Sequence, residues 1–196
     1  VESGPIGGVT AGGLSFGCSA YPEAVIDQPA QFDFYDGGGL DIAILGAVEV
    51  DAEGSVNVAS FGNRFAGVGG FVNISQTAKR VVFCLSLTAG DLAVDCAGGV
   101  LRILREGRHP KFVSSIRHVC FHGPSALARG QRVVYITERA VFELTPGGLL
   151  LTAVSAGIDP KRDIHPLMGF RVKEASPLEI MEIAYPAYGT YPHCRS

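Results

Sequence analysis

The chain opens VESGPIGG, which sets one carboxylate, Glu2, against a stretch that is almost all backbone. Glycine lets main chain approach a ligand closely, and Pro5 fixes one backbone angle. Two readings follow: an acid that must touch something bulky, or a turn at a chain end, where disorder concentrates. A second stretch of special backbone is GNRFAGVGGFVNISQ, residues 62–76. Within it Gly67, Val68, Gly69 and Gly70 precede the apolar Phe71 and a possible helix start. Loops of this kind present main-chain N–H groups that hold anions or stabilise a developing oxyanion. The pattern is neither GxGxxG nor the GK[ST] of a phosphate loop, so a simple tight turn fits it equally well.

Other chemistry-bearing types are sparse. His118 and His122 are four apart, in a run that reads as strand and turn, and no HExxH occurs. The five cysteines, Cys18, Cys84, Cys96, Cys120 and Cys194, contain no CxxC pair, so no zinc or other metal site is expected. Cys84 and Cys120 lie in apolar runs and read as small core hydrophobes in a reducing compartment. No GxSxG elbow is present. Asp33, Asp36, Asp41, Glu49 and Asp51 cluster in sequence and read as turn and strand-edge acids.

The elements that must position these residues fit one domain. The chain has 196 residues, is 47% hydrophobic and 18% charged, and carries a net charge of −3. A chain of this size hides roughly 70% of its unfolded surface, enough for a large core. The charge balance advertises neither nucleic acid nor an anionic membrane as partner. There is no run of about 18 apolar residues and no basic-then-apolar leader pattern at the start. The 26 glycines punctuate apolar runs and mark turns, bulges and close backbone approaches.

Period and punctuation predict the elements in turn. QFDFYD (31–36) alternates and predicts a half-buried strand. LDIAILGAVEV (40–50) predicts a buried strand, and residues 45–61 a hairpin turning at DAEG. FVNISQTAKR predicts a short helix capped by Asn73 or Ser75. RVVFCLSL (80–87) predicts a buried strand, and residues 87–107 strands with turns at AGD and AGG. Further strands are predicted at 114–121, 132–137, 140–145 and 149–155, with PGG as a hairpin turn. Asp159 and Pro160 predict a helix start, with Pro166 ending or bending it. YPAYGTYP (185–192) predicts irregular chain. The sum is a strand-rich α/β domain.

Taken in order, ESGPIGG, FDFYDGGGLDIAILGAVEVDAEGSVNVASFG, GVGGFVNISQTAKRVVFCLSLTAG and YITERAVFELTPGGL resemble the C-terminal, beta-like half of a family I CoA-transferase. The similarity is greatest to the fused acetate/propionate (short-chain acyl) branch. It runs from Glu2 to about Met168, with the tail 170–196 matching less well. The resemblance implies an open, Rossmann-like sheet of the CoA-transferase and sugar-phosphate isomerase type, strand-rich with hairpins. Residues 1–196 would form a single C-terminal catalytic domain. By the same resemblance Glu2, as the glutamate of the E-S/N-G motif, is the nucleophile. It would exchange CoA between a short-chain acyl-CoA and a free carboxylate (acetate, propionate, butyrate or a 3-keto acid) through a glutamyl-CoA thioester. The Gly7–Gly8 turn would keep bulk away from the attacked carbon.

The loop Gly67, Val68, Gly69, Gly70 and Phe71 would line the acyl and CoA site, its amides serving as oxyanion donors. Asn57 and Asn73 are polar candidates near the site, each equally a turn or cap residue. Lys79 and Arg80 either meet CoA phosphates or sit at an exposed helix end. No permanently bound cofactor is implied; CoA and acyl-CoA are substrates. The chain starts one residue before Glu2, so the complementary N-terminal half is expected on another chain or segment, together with a homo-oligomer. The expected location is the cytoplasm, or the mitochondrial matrix in a eukaryote. Two other readings stay open: a CoA-binding module without turnover, and a structural subunit completing another chain's site. Placement of Glu2 beside the glycine loop discriminates among them.

Overall fold

The computed structural model describes residues 1–12, 15, 17–62 and 64–181. Cys194 and the run 185–192 lie outside them. The first half contains β1 (Pro5–Ile6), β2 (Ala24–Val25), α1 (Gln28–Asp36), β3 (Ile42–Gly46), β4 (Glu49–Val50), β5 (Val56–Asn57) and α2 (Phe71–Thr77). The second contains β6 (Arg80–Cys84), β7 (Ala93–Ala97), β8 (Val100–Arg105), α3 (Gly123–Ala128) and β9 (Arg132–Ile136). It closes with β10 (Ala140–Thr145), β11 (Gly148–Ser155), α4 (Pro160–Asp163) and β12 (Lys173–Met181). This is a mixed α/β fold with few helices.

A six-stranded sheet in the order β12-β11-β10-β9-β6-β3 organises the chain. β3, β6 and β9 are parallel, with Ile44 opposite Val82 and Val82 opposite Val134. β9, β10 and β11 are antiparallel, and β12 runs parallel to β11. The period of two sends Ala43, Val81, Phe83, Val133, Tyr135, Phe142 and Leu151 to one face, where all are buried. Phe71 and Ile74 of α2 and Ala126 of α3 pack on that face. Phe83 is its centre, with ring centroids 5.9 Å from Phe71, 5.1 Å from Phe121 and 5.3 Å from Tyr135. Small ribbons surround the sheet, among them the predicted hairpin β4–β5, closed by the Asp51 side chain accepting from the Glu53 and Ser55 amides.

Several expectations change. Residues 31–36 are the second half of α1, not a strand. Gln31 and Tyr35, four apart, are the buried pair, and Pro29 occupies the first turn. Phe34, which made the alternation look like a strand, is 55% exposed. α2 begins at Phe71 with Gly70 in the capping position, and neither Asn73 nor Ser75 caps it. Residues 114–121 form no strand; at their end Phe121 bridges to Val56 of β5, and the Cys120 N–H also donates to the Val56 carbonyl. Cys84 is exposed, because among the described residues the strand at 80–84 is covered on one face rather than two, and Cys120 is half-buried. Asp159 caps α4 as expected, accepting from the Lys161 and Arg162 amides.

Candidate active site

Glu2 reaches its place through two short strands. β1 pairs antiparallel with β2, and β2 leads into α1, so the chain start lies against the first turn of that helix. From the other side, α2 delivers the glycine loop, held in place by Phe71 on Phe83. Asn73 ties the two helices, donating from Nδ2 to Asp36 at 3.0 Å. The result joins distant parts of the chain: the Gly70 N–H donates to Glu2 Oε1 at 3.1 Å.

This pair opens onto a cleft of about 340 Å³ lined by Glu2, Gln28, Pro29, Phe32, Gly69 and Gly70. Among the described residues, Glu2 is the one charged residue in that lining. Gly70 has to be glycine, since a Cβ there would stand 2.4 Å from Phe32 Cζ and 2.9 Å from Glu2 Cδ. Bulk beside the Glu2 carbon is therefore cleared at Gly70. Side chains on Gly7 and Gly8 would instead meet the Glu23 side chain and the Ala20 carbonyl.

The same loop walls a second, apolar cleft of about 500 Å³ with Gly46, Ala47, Val48 and Val58. Gly67, Val68 and Phe71 face this one, whereas Gly69 and Gly70 face the first. Gly46 ends β3, so the apolar cleft sits at the carboxyl end of the sheet's edge strand, where open α/β sheets bind ligands.

The other polar candidates lie elsewhere. Asn57 is fully buried and locks its own hairpin. It donates to Glu49 Oε2 at 2.8 Å and accepts from the Ala59 amide at 2.9 Å. Asn73 faces Asp36, and neither asparagine lines the Glu2 cleft. Lys79 pairs with Asp41 at 2.7 Å on the surface, holding the Asp41 carboxyl below its ordinary range. His122 caps α3, accepting from the Ser125 amide at 3.3 Å. Among the described residues no group of three or more His, Cys, Asp or Glu is placed to hold a metal ion, and no helix is long and apolar enough to cross a membrane. Sequence reasoning missed Gln28, Pro29 and Phe32 as cleft residues. The sequence signal was there: Asp27 followed by Pro29 marks a helix start, and Phe32 then projects one turn along.

An acid bonded to a loop amide beside a cleft can attack an electrophilic carbonyl while that amide receives the developing charge. The chain is 45% identical over 182 residues to an acetate CoA-transferase, YdiF, of Escherichia coli O157:H7, covering 93% of this chain and 34% of that protein. It is homologous to the CoA-transferases. A caffeate CoA-transferase of Acetobacterium woodii is 39% identical over 186 residues, covering 92% of this chain and 35% of the relative. The crystal structure of the E. coli O157:H7 acyl-CoA transferase YdiF as a thioester complex with CoA superposes with a TM-score of 0.86 at 44% identity, covering 92% of this chain and 34% of that one. The CoA-transferase homologue described here thus spans about a third of the length of the relatives it matches. No protein-family model matches the chain.

Proposed function

We propose that this chain is the nucleophile-bearing part of a CoA-transferase that moves CoA between a short-chain acyl-CoA and a free carboxylate. Acetate, propionate, butyrate and 3-keto acids are the acceptors of matching size. The observation that carries the reading is the bond from the Gly70 amide to Glu2 Oε1 beside an open cleft.

The Glu2 carboxylate attacks the acyl-CoA carbonyl, and the thioester C–S bond breaks. A mixed anhydride remains on Glu2, and CoA leaves as the thiolate. The thiolate then attacks the Glu2 carbonyl carbon, and the bond from that carbon to the bridging oxygen breaks. This frees the first carboxylate and leaves a glutamyl-CoA thioester. The incoming carboxylate runs both steps in reverse. Each tetrahedral intermediate puts negative charge on an oxygen, and the Gly70 and Gly69 amides are the donors we assign to it. One carboxylate replaces another of similar energy, so the chemistry asks for no metal and no resident cofactor; CoA and acyl-CoA are substrates. The remaining wall of the site we assign to the rest of the enzyme, in an assembly of more than one copy. Cys18, Cys84, Cys96 and Cys120 are free thiols, which suits a reducing compartment such as the cytosol or the mitochondrial matrix.

The test is intact and peptide mass after the complete enzyme meets an acyl-CoA without acceptor and is reduced with borohydride. A glutamyl thioester is reduced to the alcohol, a loss of about 14 Da on the peptide holding Glu2. An unchanged mass on that peptide removes Glu2 from the nucleophile's role.

A further inference from the structure

Two helices wall the Glu2 cleft, and they meet in rungs. Phe32 of α1 stands against Gly70, the residue that opens α2, so closely that a Cβ on Gly70 would lie 2.4 Å from the ring. One turn further along α1, Asp36 lies on the same side as Phe32. One turn further along α2, Asn73 lies on the same side as Gly70. There Asn73 Nδ2 donates to both oxygens of the Asp36 carboxylate, at 3.0 and 3.1 Å. This polar rung is therefore the neighbour of the rung that touches the acid, where the Gly70 N–H donates to Glu2 Oε1 at 3.1 Å.

Neither residue of the polar rung is placed for the good of its own helix. Asp36 ends α1, where the helix dipole disfavours a carboxylate, and no basic residue stands in that last turn to offset it. Asn73 lies inside α2, where asparagine is a weak helix former, and it does not cap the helix. Nor do the two fill the core. Both are exposed, and Tyr35, Phe71 and Ile74 carry the packing of the two helices. Local rules broken on both sides of one contact mark a contact kept for something else. What it can fix is register. Apolar packing is non-directional, whereas a hydrogen bond weakens steeply outside a narrow range of distance and angle. A slide of α2 along α1 carries Gly70 with it and changes the bond that holds the loop amide against Glu2.

We infer that Asp36 and Asn73 are positioning residues of the transfer reaction. Their bond sets the register of α1 against α2, and through it the distance from the Gly70 amide to the reacting carbon of Glu2. Neither side chain lines the Glu2 cleft, so the pair acts through Gly70 and not on the substrate. Its loss costs rate rather than affinity, because the amide is needed where charge develops. The inference rests on the reading of Glu2 as nucleophile for what that distance does; the register itself is read independently of it.

The experiment compares the complete enzyme with Asp36→Ala, with Asn73→Ala and with the exchange Asp36→Asn plus Asn73→Asp. The exchange keeps an amide donor facing a carboxylate and suits both helix dipoles, so it folds as the parent does. Three readouts are taken: the single-turnover rate of adduct formation on Glu2, the KM for acyl-CoA, and hydrogen exchange of the Gly70 amide by fragment mass. We expect each alanine variant to form the adduct about 10- to 100-fold more slowly, the scale of a small misplacement. KM should stay within about threefold of the parent, and melting should change little, since both residues are on the surface. The Gly70 amide should exchange at least about tenfold faster as its bond to Glu2 loosens. The exchanged pair should bring both the rate and the Gly70 protection back to within about threefold of the parent. Alanine variants with the parent's adduct rate and Gly70 protection overturn the inference. A loss that falls on KM, that tracks melting, or that the exchanged pair does not recover overturns it too. A parent that forms no adduct refutes the nucleophile reading alone, and Gly70 exchange in the alanine variants then decides the register by itself. A parent that forms the adduct, matched by its alanine variants, refutes this inference alone.

Discussion

Phe32 and Gly70 stand closer than any side chain on Gly70 would permit: a Cβ there would lie 2.4 Å from the Phe32 ring. The same Cβ would lie 2.9 Å from the Glu2 carboxyl carbon, so one missing methyl defines the space around the acid. Gly70→Ala keeps the N–H but pushes apart the two groups beside it. We expect thioester formation to fall by about 10²–10³, the scale of losing one oxyanion donor. Thermal melting should fall modestly too, because Gly70 is buried and its new Cβ must displace the Phe32 ring, an overpacking that costs about 1–3 kcal/mol. Single-turnover formation of the adduct measures the first quantity. A Gly70→Ala enzyme with unimpaired adduct formation would deny the loop its place at the reacting carbon.

Glu2→Gln separates chemistry from architecture. The amide oxygen of Gln accepts from Gly70 N–H as the carboxylate does, so the hydrogen bond and the fold remain. We expect stability within about 0.5 kcal/mol of the parent, as for substitutions that break no named interaction. We expect no borohydride-trapped adduct, because a carboxamide cannot form the anhydride. A variant that still turns over at the parent rate refutes the covalent route.

Why some of this is legible in sequence and some is not follows from range. Glu2 and the glycines at 67–70 announce themselves by composition, since few residue types make an acid against bare backbone. Their meeting is not local. It depends on β1 pairing with β2 and on Phe71 packing on Phe83, contacts between segments that periodicity treats separately. Strands β6, β9, β10 and β11 read correctly because each is a short apolar run, rich in β-branched, aromatic or leucine side chains and bounded by turn residues. α1 misled because Phe32 and Phe34 alternate, while the residues that pack are Gln31 and Tyr35, spaced for a helix. Burial of Cys84 was misjudged for a different reason. An apolar strand announces that both faces want cover, but not which cover lies within the same stretch of chain.

Arg139 is the largest test of what holds the domain together. Its side chain is 0% exposed, and it donates to Glu138 Oε1 at 2.6 Å, to Glu106 Oε2 at 2.8 Å and to the Asp163 carbonyl at 3.1 Å. It thereby clamps the turn before β10 to the end of β8 and to α4. Arg139→Ala leaves two partly exposed carboxylates facing an empty site; a fully buried pair costs about 3–5 kcal/mol to break, and the exposure of Glu106 lowers this one to about 1–3 kcal/mol. Urea unfolding of the complete enzyme, followed by a probe in this domain, should show a midpoint lowered accordingly. A change under about 1 kcal/mol would mean that water replaces the guanidinium without penalty.

The same cluster sets a pH dependence with a definite sign. Desolvation pushes the Glu106 carboxyl up, but hydrogen bonds from Arg139, Thr88 and the Gly107 amide outweigh it, and the net shift is downward. A carboxyl lowered in the folded state adds stability that is fully present above its unfolded value, about 4.3, and is lost as pH falls through the folded value. Asp163 is lowered as well, chiefly by its bond from Arg162, and contributes in the same direction. Stability should therefore fall with acidification below about pH 5. Glu106→Gln should flatten that acid limb while lowering stability at pH 7. Urea midpoints for parent and variant between about pH 3 and 7 decide it. Parallel curves for the two proteins would place the acid sensitivity elsewhere than at Glu106.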